Sequence, residues 1–198
     1  MQTIQQLRDI FISDTKSVIN DFSKFNSLSA NQINWKPEAK IWSIAECIDH
    51  LLISNTLYLN EIRKQFPKKT ILTDVSKTKV KHRFISSFII KAVNPANQRK
   101  IKTYPVFTPA KSNFDKKVLN DFIDTQNKLI ELIKSETQPN LNLNLNLNLN
   151  LNSYTISSPA SKFIKENFCD VLEIIRLHDR RHFNQADKVF NNPNFPKN

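Results

Sequence analysis

The chain contains no glycine among its 198 residues. Glycine is the residue that reaches positive φ without a steric cost, so helix ends must be made here with Asn, Pro or Ser. Phosphate-binding loops that depend on glycine, including the Walker and Rossmann fingerprints, are excluded. We therefore expect no nucleotide-binding fold of the usual kind and assign no cofactor-binding residues of that class.

Length and composition predict a single domain over residues 1–198. No apolar run approaches the roughly 18 residues that a membrane span needs, and the N-terminus lacks the apolar core of a signal peptide. The only cysteines are Cys47 and Cys169, and without a secretory signal we expect no structural disulfide. The interpretation is a cytoplasmic protein with no membrane partner.

The net charge of +11 is concentrated in one part of the chain. Residues 67–117 contain thirteen Lys and Arg but only two acids, so the remainder is neutral. Such a segment could bind nucleic acid or another polyanion. No nucleic-acid recognition motif accompanies the charge, so the favoured interpretation is a solvated lysine-rich connection, with nucleic acid not expected as a partner.

Four segments have the apolar period of long helices. They run from about Thr3 to Lys24, from Ser43 to the proline at 67, from about Asp115 to Glu136, and from about Ser161 to Phe190. Ser43 with Glu46 three residues later predicts a capping box at the start of the second segment. Four helices with long crossover connections predict an all-α fold, a four-helix bundle.

Two connections are long. The basic connection, residues 67–113, exceeds the usual length of a structureless loop, and we predict a short helix near Arg83 to Val93 followed by an extended TYPVFTP stretch. Residues 141–152 are six Leu-Asn copies. Identical repetition specifies no strand register, so we interpret them as a low-complexity loop, extended or disordered, without catalytic residues.

The stretch LHDRRHFNQ places His178 and His182 four residues apart in the fourth helical segment. They continue its apolar stripe, and an i, i+4 pair lies on one side of a helix, one turn apart. This spacing occurs in helical zinc sites. His50, on the second segment, is the natural candidate for a third ligand. Three imidazoles would leave a coordination position open for water or a thiol.

Spacing alone leaves other roles open for the histidines. A buried pair can be satisfied by hydrogen bonds to Asp49, Glu46 or backbone carbonyls without any metal. Gln185, one turn beyond His182 on the same face, could hydrogen-bond a ligand or a metal-bound water. Gln185 and Glu46 are therefore candidates for supporting a metal site through hydrogen bonds.

The other chemically active side chains have simpler interpretations. His82, in the basic connection, is expected at the surface. Arg180 and Arg181 are expected to face solvent or to pair with Asp179 and Glu173. The Cys47 thiol could approach the histidines, but a small buried apolar residue is the favoured role.

Three stretches together resemble the DinB-like superfamily. INWKPEAKIWSIAECIDHLL, residues 33–52, is similar to its second-helix signature, a Trp-Pro turn and Trp-Ser-Ile followed by an inward histidine. RLHDRRHFNQADKV, residues 176–189, resembles its final helix, with two histidines four apart and then a glutamine. DFIDTQNKLIELI, residues 121–133, is similar to the helix between them. The resemblance fades across residues 67–112 and across the Leu-Asn repeat.

The resemblance implies a four-helix bundle in which His50, His178 and His182 hold a divalent metal ion. Zinc, nickel or iron is expected, since imidazole suits each of them. Members of the superfamily are often homodimers. Some are transferases that activate a low-molecular-weight thiol such as bacillithiol or mycothiol, others are described as metal-dependent hydrolases, and many have no assigned activity.

Two functions compete on these grounds. The first is a metal-dependent enzyme, a thiol transferase or hydrolase, acting on a small electrophilic substrate through the three-histidine site; no catalytic residue is assigned beyond the ligands. The second is a non-catalytic, stress-associated helical bundle that binds a partner or ligand, with the histidines in a structural role.

Overall fold

Long amphipathic helices make up most of the chain in a computed structural model that describes residues 1–65, 72–109, 111–136 and 147–197. The helices are α1 (Ile4–Ser23), α2 (Ala30–Asn34), α3 (Ile44–Gln65), α4 (Phe84–Val93), α5 (Lys117–Glu136) and α6 (Phe168–Phe190). Two antiparallel pairs of strands accompany them, β1 (Leu72–Asp74) with β2 (Leu147–Leu149) and β3 (Thr155–Ser158) with β4 (Ser161–Asn167). The expectation of a mainly helical chain is confirmed.

Reciprocal side-chain caps form at the starts of two long helices. Ser43 Oγ accepts from the Glu46 backbone N–H at 3.1 Å, and the Ser43 N–H donates to the Glu46 carboxylate at 2.8 Å, which confirms the predicted capping box of α3. Asn167 and Asp170 form the same reciprocal pair at the start of α6. Each box pairs two backbone N–H groups that a helix start would otherwise leave without an acceptor.

The predicted start of the fourth helix at Ser161 is wrong. Residues Ser161–Asn167 form β4, which pairs with β3 in a hairpin, and α6 begins only at Phe168. The capping box at Asn167 sets this boundary because its side chain accepts the Asp170 N–H at 2.8 Å. Cross-strand pairing with residues 155–158 decides the conformation of the preceding seven residues.

Two apolar clusters and a polar layer between them form the interior. α6 packs against α1 and α3, and α5 packs against α3 and α1. One cluster contains Phe11 and Phe168, and the other contains Phe22 and Phe122. Between them, at the middle of the long helices, lie five buried polar side chains: Thr15, Ser54, Asn55, Gln126 and Asp179.

The basic connection contains the short helix predicted near Arg83 to Val93, which is α4. Ile89, Ile90 and Val93 pack against the apolar core, so one face of α4 is anchored. The chain then leaves α4 and reaches a single 3₁₀ turn at Pro105–Phe107, within the stretch predicted to be extended. This turn brings the backbone of Phe107 to α3.

Only part of the Leu-Asn repeat belongs to the described residues. Leu147–Leu149 pair with Leu72–Asp74, and Leu149 and Leu151 are buried. Residues 141–146 and the proline at 67, predicted to end the second helix, lie outside the described residues. The division of the chain into one domain with two long connections stays a prediction. Among the described helices, none has the length and apolar character required to cross a membrane.

A buried carboxyl group lies where β4 leads into α6. Glu166 is fully buried and accepts a hydrogen bond from the Tyr58 hydroxyl at 3.2 Å. Burial raises the pKa of Glu166 to about 7, and the charge of Asp170 adds to this, while the hydrogen bond from Tyr58 opposes it. Glu166 therefore keeps its proton in the folded chain at pH values where an exposed glutamate has lost it.

We expect Glu166→Gln to make the stability of the fold less sensitive to a rise in pH from about 4.5 to about 7. The unfolded chain releases the Glu166 proton near pH 4.5 and the folded chain only near pH 7, so the wild type loses stability as pH rises through that window. The variant has no proton to lose. Its free energy of unfolding relative to the wild type should rise by about 2–3 kcal/mol from pH 5 to pH 8 in urea titrations.

The matched control is Glu38→Gln, which changes an exposed glutamate. Its difference from the wild type should be independent of pH. A Glu166→Gln curve parallel to that of the wild type across this range would show that Glu166 ionises normally.

Candidate metal centre

Two helices bring three histidines together. His50 lies in the second turn of α3, and His178 and His182 lie one turn apart on α6. One ring nitrogen from each lies within 4.8 Å of the others. The ring centroids are 4.9 Å apart for His50 and His178, 4.5 Å for His50 and His182, and 4.6 Å for the α6 pair. The sequence-predicted candidates therefore converge on one point.

Hydrogen bonds orient two of the rings and assign their protons. His50 Nδ1 donates to the Phe107 carbonyl oxygen at 2.6 Å, and His182 Nδ1 donates to Gln185 Oε1 at 3.0 Å. Because both acceptors are oxygens, the neutral rings carry their proton on Nδ1 and a lone pair on Nε2. This is the arrangement in which a histidine binds a metal through Nε2.

The closest contact in the cluster joins His50 Nε2 to His178 Nε2 at 3.0 Å. With the His50 lone pair directed at this contact, a proton on His178 Nε2 or a cation must lie between the two nitrogens. Nitrogens bound to one tetrahedral zinc ion at about 2.0–2.1 Å lie roughly 3.3 Å apart. The contact between His50 and His178 is close to that value, and the third nitrogen lies within 4.8 Å of both, so the three rings could hold a metal ion.

Burial keeps the three imidazoles neutral. It lowers the pKa of His50, although the hydrogen bond to the Phe107 carbonyl opposes the effect. The pKa values of His178 and His182 fall well below the usual range, first through burial and then through the neighbouring imidazoles and Arg181. A metal ligand must be the unprotonated imidazole, so these shifts prepare the cluster for an ion at neutral pH.

An indole covers one side of the cluster. The Trp42 ring lies 4.9 Å from His50 and is stacked on His182 at 5.7 Å. His50 and His182 are buried, whereas His178 is only half-buried. The side of the cluster at His178 is therefore the side nearest to solvent.

The carboxylate next to His178 ties α6 to two other helices. Asp179 accepts from Asn55 Nδ2 of α3 at 2.8 Å and from Gln126 Nε2 of α5 at 2.7 Å, in the buried polar layer. Burial raises the pKa of Asp179 to about 7, against the effect of the two amide donors. These bonds fix α6 along its axis relative to α3 and so place His178 opposite His50.

The two arginines between the histidines are not free at the surface, and their partners differ from those expected. Arg180 pairs with Asp21 of α1 at 2.5 Å. Arg181 donates to the backbone carbonyls of Asn94 at 3.1 Å and Arg99 at 2.8 Å, and also to that of Asn97. Arg181 thereby holds the chain that follows α4 against α6.

The remaining candidates take separate positions. Gln185 contacts the cluster through His182, as described above. Glu46 instead bonds to Ser43 and to the Lys36 ammonium at 2.9 Å, so its described contacts support the start of α3. His82 lies outside the cluster and bonds to Asp170 at 2.8 Å. Cys47 is buried in the apolar core, and burial raises the pKa of its thiol, which keeps it unreactive.

Comparison with known proteins gives one match, to a protein family. A family model described as the DinB superfamily matches residues 16–186, which include all three histidines. The chain belongs to the DinB superfamily. Searches of curated proteins and of solved structures gave no significant match. The DinB assignment covers most of the chain, and a three-histidine cluster that could bind a metal is compatible with it.

Sequence reasoning missed three contributors to the histidine cluster. No role at the histidines is predicted for Trp42, although it lies eight residues before His50 and just ahead of α3. Phe107 contributes its backbone carbonyl to His50, and a backbone group cannot be recognised from residue identity. Asp179 was treated as a surface partner for the arginines, and only the buried amides of Asn55 and Gln126 reveal its position.

We expect Asp179→Ala to destabilise the protein far more than Asp21→Ala. Both aspartates join α6 to another helix, but Asp179 is buried and its loss leaves two buried amides unpaired. Its free energy of unfolding should fall by about 2–4 kcal/mol. Asp21 forms a half-exposed ion pair with Arg180, and its loss should cost less than about 1 kcal/mol. Similar midpoints in urea for the two variants would contradict this account.

Proposed function

We propose that this protein binds a divalent metal ion through Nε2 of His50, His178 and His182 and uses it in a reaction on a small electrophilic substrate. The observation that carries the proposal is the convergence of three ring nitrogens within 4.8 Å. The Nδ1–H groups of His50 and His182 donate hydrogen bonds to oxygen acceptors, which leaves Nε2 of both rings free for an ion. Zinc, nickel and iron all suit imidazole ligands.

The reaction class follows from what such a centre can supply. Three protein ligands leave a position at which a bound ion lowers the pKa of a water molecule or a thiol, giving a nucleophile at neutral pH. The Phe107 carbonyl and Gln185 hold the outer nitrogens of two rings, and Trp42 covers one side of the cluster. We infer a transferase that uses a low-molecular-weight thiol, or a hydrolase that uses water.

Two structural proposals accompany this function. The four long helices α1, α3, α5 and α6 would form the bundle that the family resemblance implies, which their mutual packing supports. A homodimer is also proposed from the resemblance. Sedimentation of the purified chain would measure it directly.

One observation favours a second candidate, a non-catalytic helical protein in which the histidines are structural. The contact of 3.0 Å between His50 Nε2 and His178 Nε2 also has the length of a hydrogen bond, so the pair could be satisfied by a proton. In this case the cluster would join α3 to α6 as a polar contact, and the protein would act by binding a partner or ligand.

Metal content separates the two candidates. Protein purified without an affinity tag should contain about one divalent ion per chain by elemental analysis, and His178→Ala should lose it because two imidazoles hold an ion weakly. His82→Ala is the matched control, since it removes the histidine outside the cluster. Wild-type protein that neither contains nor takes up an ion would rule out the metal centre.

Turnover assays test the reaction. Metal-loaded wild type should consume a thiol together with an electrophile, or hydrolyse an activated ester without a thiol, and His178→Ala should lower the rate by at least about a hundredfold. Thiol dependence assigns the transferase and its absence assigns the hydrolase. A metal-loaded protein inactive in both assays would support the non-catalytic candidate.

A further inference from the structure

The outer face of α4 is apolar and has no partner among the described residues. Phe84 and Phe88 are 78% and 58% exposed, and their rings pack edge to face 5.0 Å apart. Ile85 on the same side is also exposed. Because Ile89 and Ile90 anchor the opposite face in the core, the phenylalanines cannot turn inward without breaking that packing.

The strand next to α4 exposes a third phenylalanine. β4 contacts α4, and Phe163 of β4 is 95% exposed. Single exposed apolar residues are common, but three phenylalanines on two contacting elements expose on the order of 400 Å² of ring surface. The largest apolar patch on a monomer is commonly about 300–600 Å² and is often functional, so this face is a candidate binding surface.

Positive charge is concentrated in the part of the chain that contains these apolar residues. Residues 75–114 contain nine Lys and Arg and no acid, and Lys162 and Lys165 lie on β4 beside Phe163. Lys91 is exposed on α4 itself. Within the described parts of the chain, the Lys91 and Arg83 side chains form no ion pair with a carboxylate, and Arg83 donates to the Thr155 hydroxyl. The apolar patch is thus flanked by uncompensated cations.

We propose that this face, formed by α4 and β4, docks on an anionic lipid bilayer surface. A bilayer with anionic headgroups supplies negative charge for the lysines and an apolar layer for the phenyl rings beneath it. A two-fold dimer through the same face would place α4 against its own copy and bring the cations of both chains together. The charge therefore favours the lipid surface over a second copy.

Docking by this face would leave the histidine cluster intact. α4 presents its outer face to the bilayer while its inner face stays packed on the core and against α6. None of Phe84, Phe88 and Phe163 contacts a histidine of the cluster through a described ring contact. The proposal thus stands independently of the metal centre.

Vesicle co-sedimentation tests the proposal with the full chain. Wild type should bind vesicles of phosphatidylglycerol and phosphatidylcholine, should not bind pure phosphatidylcholine, and should be released when salt rises from about 0.1 M to about 0.5 M. Phe84→Ser with Phe88→Ser should lower the partition coefficient by about tenfold or more, and Phe163→Ser should lower it further. Ile10→Ser, which changes an exposed apolar residue of α1, should have no effect.

Two charge-reversal variants separate docking by this face from a general attraction of the basic chain to anionic vesicles. Lys91→Glu should weaken binding several-fold, whereas Lys128→Glu, which makes the same change on α5, should have little effect. Far-ultraviolet circular dichroism and metal content of each variant should match those of the wild type, because all these residues are exposed and outside the cluster.

Three results would overturn the proposal. The first is no binding to anionic vesicles, or equal binding to neutral ones. The second is a double phenylalanine variant that binds vesicles as well as the wild type. The third is a wild type that does not bind vesicles but self-associates or binds duplex DNA or RNA, while the substituted variants do not. That result would assign the face to a second copy or to nucleic acid.

Discussion

The buried hydrogen bonds of Asp179 with Asn55 and Gln126 hold the arrangement of the long helices. Apolar contacts in the two clusters on either side tolerate small shifts between helices, but a carboxylate between two buried amides does not, since a displaced helix leaves donors unpaired. His178 immediately precedes Asp179, and His50 lies five residues before Asn55. The register fixed by these bonds therefore determines that the imidazoles meet.

Five successive residues of α6 contact five different parts of the fold. From His178 to His182, successive side chains contact α3, then α3 and α5, then α1, then the chain after α4, and finally Trp42. Successive residues of a helix point about 100° apart, so five of them cover its whole circumference. The histidine cluster thus lies at a turn of α6 whose side chains join it to several other parts of the fold.

Local signals explain why much of this could be predicted from sequence. The apolar period of the long helices, the Ser43–Glu46 box and the spacing of His178 and His182 are all patterns between residues close together in the sequence. Three features could not be found in this way. β4 exists because it pairs with β3, and the acceptors for His50 and Arg181 are backbone carbonyls that any residue would provide. The exposure of Phe84 and Phe88 depends on which face of α4 meets the core.

The segment between α4 and the Pro105–Phe107 turn is attached to the histidine region at both ends. Arg181 holds the carbonyls of Asn94 and Arg99 near its start, and His50 holds the carbonyl of Phe107 at its finish. Moving this segment would change the acceptor that orients the His50 ring. Thermodynamic linkage then requires reciprocity: if occupation of the α4 face shifts the segment, a ligand at the histidines must alter affinity at that face by the same factor.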